Sequence, residues 1–167
     1  MDTVQILCTL RYVTSFLDVF PSHLLPQSIT QTSTVIVNAD PHTEGGSHCL
    51  AVHFRLKSSS AYHFDSYGIL PLLPSFQAFI KRNSKAWGYN RRQLQGLTTD
   101  VFGKYCCLFA LYMDRSYTPQ QLISLFNDCD HADRQLHHCR IRGPNGSGLL
   151  GSMLPQLSMK GRYSARF

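Results

Sequence analysis

The chain has 167 residues and a mass of 18.9 kDa, enough for one ordinary domain with a real core and too little for two. Apolar residues make up 43% and charged residues 16%, below the roughly 25% of a typical soluble domain, which argues against wholesale disorder. The net charge of +6 sits at one end: residues 1–139 hold eleven Lys/Arg against ten Asp/Glu, while residues 140–167 add five bases and no acid.

A nearly neutral body with a basic tail makes nucleic-acid binding a poor main function, since such a tail gives only weak, salt-sensitive attraction to a polyanion. Every apolar run falls short of the roughly 18 to 20 residues that a membrane span requires. The opening MDTVQILCTL has no basic stretch ahead of an apolar one, so no secretory signal is expected. The six cysteines (Cys8, Cys49, Cys106, Cys107, Cys129 and Cys139) are irregularly spaced. Without a signal peptide they read as reduced thiols of an intracellular protein, cytoplasmic or nuclear, rather than a disulfide framework.

Residues 1–32, where Pro21 and Pro26 flank a short apolar stretch and a polar run extends from Gln27 to Ser33, read as a loop-rich entry with one short helix. Thr34–Asn38 is β-branched and apolar and predicts a buried strand. The Pro- and Gly-containing stretch 39–47 predicts a loop. Cys49–Arg55 and Ala61–Phe64, either side of Lys57-Ser58-Ser59-Ser60, predict an antiparallel hairpin. Ser75–Asn83 carries apolar residues at 76, 79 and 80, as an amphipathic helix does. Phe102–Met113 is apolar nearly all round and predicts a buried helix. Thr118-Pro119-Gln120-Gln121 has N-cap, N1 and N3 residues of a helix start, with the helix running to about Phe126. From Arg140 the chain turns rich in Gly, Ser and Pro, and residues 140–167 read as a poorly ordered tail on a domain of residues 1–139.

Chemistry gathers at four points in order. His48 opens one strand of the hairpin and Asp65 closes the other, so the two fall at the same end of adjacent antiparallel strands. A carboxylate there would hold the imidazole in one tautomer and stabilise its protonated form. Gln95, in a loop, could donate an amide N–H to a developing oxyanion. The buried helix then begins at Phe102-Gly103-Lys104-Tyr105, and a helix N-terminus favours negative charge and lowers the pKa of a thiol. Together these describe a cysteine acyl-transfer site with a gap where the nucleophile belongs. Each residue has a plainer reading alone: His48 as a strand-edge packing residue, Asp65 as a turn cap, Gln95 as an ordinary loop residue.

The blocks Val35-Ile36-Val37-Asn38, Gly46-Ser47-His48, Tyr62–Gly68, Gln93-Leu94-Gln95 and Gly103-Lys104-Tyr105-Cys106, kept in order and spacing, resemble the adenovirus-type protease (adenain) family. The resemblance is strongest to the versions carried by large virus-like Polinton (Maverick) transposons, whose members Met1–Leu10 also resembles. It implies a papain-related α+β fold, a small mostly antiparallel sheet packed on a buried central helix. It also implies proteolysis of capsid-precursor polypeptides, with His48 as general base, Asp65 as its acidic partner and Gln95 in the oxyanion role. The family's nucleophilic cysteine falls seven residues after the Gln, and here that position is Phe102. Cys49 likewise stands where the family has Trp. Each change is a single-nucleotide step, as in a decaying transposon copy.

Three functions follow as expectations. The first is a pseudoprotease or transposon relic, still able to hold a polypeptide in its cleft. The second is an active peptidase using Cys106, which lies about 5–6 Å further along the helix, too far for attack without a shift in register. The third is a binding module in which Arg91, Arg92, Lys81, Arg82 and Lys85, beside Trp87 and Tyr89, or the basic tail, touch DNA. No cofactor and no metal are expected: Cys129, His131, His137, His138 and Cys139 match no common zinc spacing. The viral relatives that the chain resembles are activated by DNA and by a peptide tethered through a cysteine, and no cysteine lies between Cys49 and Cys106 to support the tethered-peptide mode.

Overall fold

The structure, a computed structural model, describes residues 1–39, 48–96 and 101–126. They form an α+β domain whose elements run α1 (Thr3–Leu10), β1 (Phe16–Pro21), β2 (Ser33–Asn38), β3 (Cys49–Arg55), β4 (Ser60–Phe64), α2 (Pro74–Asn83), β5 (Ala86–Tyr89), α3 (Phe102–Asp114) and α4 (Pro119–Ser124). The five strands make one sheet in sequence order.

β2, β3 and β4 are buried on both faces, which explains their continuous apolar reading. Val35, Val37, Leu50, Val52, Phe54 and Ala61 pack against Phe76, Phe79 and Ile80 of α2. Ile36, Ala51 and Phe64 pack on the other face, against α3 and the Ile6 and Leu10 side chains of α1. The alternation of β2 and β3 thus separates two cores, with α3 buried along nearly its whole length in one of them.

The expected hairpin is present. β3 and β4 pair antiparallel from Ala51↔Phe64 to Arg55↔Ser60, around a short 3-10 turn at Leu56–Ser58 and a left-handed Ser59. The sheet is not mostly antiparallel, however. β1 pairs parallel with β2 and β5 pairs parallel with β4, so the sheet is mixed. Both parallel members were hidden in the sequence. β1 ends on Pro21 in a stretch read as loop, and β5 is four residues long amid basic and polar residues.

The helix bounds follow from local chemistry. The Asp2 carboxylate accepts the Gln5 backbone N–H at 2.8 Å, and the Gln5 side chain accepts the Asp2 N–H at 3.1 Å, giving α1 a capping box. Thr118 and Gln121 form the same device at α4, as their spacing predicts. α4 stops at Ser124, with Leu125 as its cap residue, two residues earlier than the expected Phe126. Phe126 itself is buried against Tyr105, with ring centroids 5.7 Å apart. No helix among the described residues is long and apolar enough to cross a membrane. The loop at 40–47, the Cys129–Cys139 cluster and the tail 140–167 lie outside the described residues.

Candidate active site

The hairpin brings His48 and Asp65 together. His48 immediately precedes β3 and Asp65 immediately follows β4, so the antiparallel register sets them at one end of the sheet. His48 Nε2 lies 3.2 Å from Asp65 Oδ1. The imidazole stacks on the Tyr67 ring at 5.2 Å and meets the Phe102 ring edge-on at 5.6 Å. Its other nitrogen, Nδ1, is buried without a hydrogen-bond partner among the described residues. With Nε2 turned to the carboxylate, the neutral tautomer that donates to Asp65 leaves Nδ1 as a hydrogen-bond acceptor.

Asp65 stands at the head of a tight turn. Its Oδ1 also accepts the Tyr67 N–H at 2.8 Å, and its carbonyl accepts the Gly68 N–H at 2.8 Å. Gly68 takes φ +72°, and a Cβ there would fall 2.7 Å from the carbonyl carbon and oxygen of Arg92. Only glycine permits both the left-handed backbone and that approach.

The turn and the loop after β5 are bonded into one unit. The Ser66 carbonyl accepts the N–H groups of Leu94 and Gln95 at 2.8 and 3.0 Å. The Ser66 hydroxyl donates to Gln95 Oε1 at 2.7 Å, and Gln95 Nε2 donates to the Tyr67 hydroxyl at 3.4 Å. Gln95, only 1% exposed, is therefore oriented through its oxygen, its amide nitrogen on the Tyr67 side, and Tyr67 in turn stacks on His48. On the far side of this loop, Tyr105 Oη of α3 donates to the Leu94 carbonyl at 3.0 Å.

Phe102 is the first residue of α3 and is 6% exposed. No side chain caps this helix, and its first turn holds no acid. Gly103 lets the N-terminal segment close on the helix, because a Cβ there would come within 2.9 Å of the Met1 Cβ. One turn further on, Cys106 is fully buried and its thiol donates to the Cys49 carbonyl at 3.3 Å. Burial pushes the Cys106 thiol well above its ordinary pKa, with Cys49, Cys107 and Asp65 adding in the same direction, and burial likewise raises that of Cys107. Cys49 is buried beside them, and Cys8 is an exposed free thiol.

The four sequence-derived residues His48, Asp65, Gln95 and Phe102 thus lie in one neighbourhood. Sequence reading missed Asn90, Ser66 and Tyr67 as individual contributors. Asn90 follows a strand directly, a position from which Asn commonly bonds to nearby backbone, and that is the signal that could have found it. Of the basic residues considered as a face, Arg82 donates to the Gln27 and Pro26 carbonyls at 2.7 and 3.1 Å, and Arg92 to the Phe126 carbonyl at 2.7 Å. Among the described residues no group of three or more His, Cys, Asp or Glu could hold a metal ion. No protein-family model matches the chain, and neither does any of the curated proteins.

Proposed function

We propose that the chain is an adenain-like cysteine-peptidase domain without its nucleophile, a pseudoprotease that keeps base, acid and oxyanion residues around Phe102. One observation carries the reading: His48 Nδ1 is buried without a partner among the described residues, while Nε2 meets Asp65 and Phe102 packs on the ring's edge. A buried, unsatisfied polar atom calls for a reason; Ser15 Oγ and His63 Nδ1 share that condition, but of the three only His48 has a carboxylate on its other nitrogen. A thiol on residue 102 would supply one, giving its proton to Nδ1 and gaining, as thiolate, the favourable field of the α3 N-terminus.

In the full reaction such a thiolate would attack the scissile carbonyl carbon, and the carbonyl oxygen would take the displaced electron pair, facing the Gln95 amide. Collapse of that intermediate would expel the amine, which takes the proton from His48 Nδ1 and leaves a thioester for water to hydrolyse. Phe102 has no atom able to open this sequence. Peptide binding without hydrolysis is the function left to such a cleft.

Cys106 is not a substitute in this reading. Its thiol is committed to the Cys49 carbonyl, and its raised pKa keeps it protonated near neutral pH. The DNA reading gains no support from a basic group in which Arg82 and Arg92 are engaged with loop carbonyls.

The test is hydrolysis of a mixed peptide library by the unaltered chain and by Phe102→Cys. The expected result is no turnover in the parent and measurable turnover in the variant, lost again on adding His48→Ala. Hydrolysis by the parent that disappears with His48→Ala would overturn the proposal. A folded Phe102→Cys chain that neither cleaves nor is alkylated faster at residue 102 than at Cys8 would also overturn it.

A further inference from the structure

β4 and β5 run parallel, and their last ladder pair is His63↔Tyr89. Beyond it the chain must leave the sheet in two places at once, so that Asp65 can turn toward His48 and residues 90–95 can loop to Gln95. The backbone of Asp65, 3% exposed, would then lose its ladder partner in a buried position. An N–H left unsatisfied there would forfeit its hydration without a replacement partner.

The side chain of Asn90, 2% exposed, occupies that place. Its Oδ1 accepts the Asp65 N–H at 3.0 Å, and its Nδ2 donates to the Asp65 carbonyl at 2.5 Å and to the Arg92 carbonyl at 3.2 Å. A peptide group makes the same paired donor and acceptor contacts in a sheet. The Asp65 carbonyl has the Gly68 N–H as a second partner, whereas the Asp65 N–H donates to Asn90. An aspartate at 90 could accept from that N–H but could not donate to the carbonyls. A glutamine reaches further by one methylene and would have to fold back.

We infer that Asn90 is a positioning residue: its amide extends the sheet by one side-chain rung and fixes the backbone from which Asp65 holds His48. The inference rests on the His48–Asp65 pair and not on the peptidase reading, so it survives an inactive Phe102→Cys chain.

The experiment is proton and nitrogen NMR of the folded chain, observing the His48 Hε2 proton, which is visible only while it is held in a hydrogen bond and shielded from exchange. It should be present in the parent and in Thr34→Val, which removes the remote buried contact between Thr34 Oγ1 and His53 Nδ1 at 2.9 Å. It should be broadened away in Asn90→Ala and in Asn90→Asp while the rest of the spectrum remains native. An unchanged Hε2 signal in either folded Asn90 variant overturns the inference. So does loss of the signal in Thr34→Val as well, which would make it a measure of general stability.

Should both Asn90 variants fail to fold, amide exchange in the unaltered chain decides. An Asp65 N–H slowed by about 100-fold or more relative to an open chain supports the bond, and exchange at the open-chain rate overturns it. On a Phe102→Cys background that turns over, Asn90→Ala should lower kcat about 10- to 100-fold with KM nearly unchanged.

Discussion

Around His48, the side that carries Asp65 and Gln95 is held by directional bonds, whereas the side that begins at Phe102 is held by apolar packing. On the first side Asn90, Ser66, Tyr67 and Gly68 each make a contact that few other residues could make. On the second, Phe102, Cys106, Cys107 and Leu108 fill the core against Ile6, Ala51 and Phe64, and any well-shaped apolar side chain would serve. The two sides therefore answer differently to mutation. A polar bracket fails when one member goes, while a packed wall accepts a new side chain at some cost in stability and without losing the geometry around it. On the proposed reading, that asymmetry would let a site part with its nucleophile and keep His48, Asp65 and Gln95 in place.

The comparison is sharpened most by Phe102→Cys. Turnover should rise from none to a measurable rate, the largest effect expected anywhere in the molecule. The same change removes a buried ring and should lower stability by about 2–4 kcal/mol, read as a shift in the urea midpoint. Gln95→Ala on that background should then cost about 100- to 1,000-fold in kcat, as for other donors to a developing oxyanion. A loss below tenfold would remove Gln95 from the oxyanion role.

Gly68→Ala attacks the polar side directly. It forces a side chain into a left-handed backbone and against the Arg92 carbonyl group, so about 3 kcal/mol or more of stability should be lost. Ala substituted at Gly88, whose Cβ would meet only the Tyr62 ring at 3.6 Å, provides the control and should cost far less. Equal losses at the two positions would mean that the tight turn after Asp65 is not specially constrained.

Acid probes the sheet beneath both sides. His53 and His63 are buried on β3 and β4, and burial lowers each from the ordinary 6.5 to about 4. For His53 the Arg55 charge adds to the fall and Asp114 opposes it; for His63 the Asp65 charge and the Ile69 carbonyl oppose it without prevailing. The folded state thus binds protons less readily than the unfolded one. Stability is fully present above about pH 6.5, falls as pH drops toward 4, and levels off below that. Each group contributes at most about 3 kcal/mol to the fall. Urea titrations at pH 7 and pH 4.5 should show it, and His63→Gln should flatten the slope. A midpoint independent of pH over that range would contradict the burial of both imidazoles as neutral rings.

The sequence carried much of this, unevenly. His48 and Asp65 were legible because an antiparallel hairpin puts its two open ends side by side whatever the rest of the fold does. The Thr118–Gln121 cap and the all-round apolar α3 were legible for equally local reasons. β1 and β5 were not, because each is an edge strand whose partner is fixed by a parallel crossover rather than by its own alternation. Asn90 was invisible for the same kind of reason: its role depends on where two strands stop, which no local pattern states.

The smallest expected effect separates the two sides most finely, at Cys106. Its thiol reaches the Cys49 carbonyl from α3, so it ties the packed wall to the first residue of β3, next to His48. Sulfur is a weak donor, and the contact at 3.3 Å adds little beyond packing. Cys106→Ser keeps a donor and gives up some volume, which should cost about 1 kcal/mol; Cys106→Ala gives up both and should cost somewhat more. Neither change should alter turnover of Phe102→Cys by more than about threefold, because a packed contact transmits little to the geometry of a base held from its other side. Native-state alkylation should follow the same order, fast at exposed Cys8 and slow at Cys106 and Cys107, whose thiols burial holds protonated. If Cys106→Ser instead abolished hydrolysis in a chain that retained Phe102, the reacting sulfur would belong to the packed side. The division between a chemical half and a structural half would then have to be drawn one helical turn further along α3.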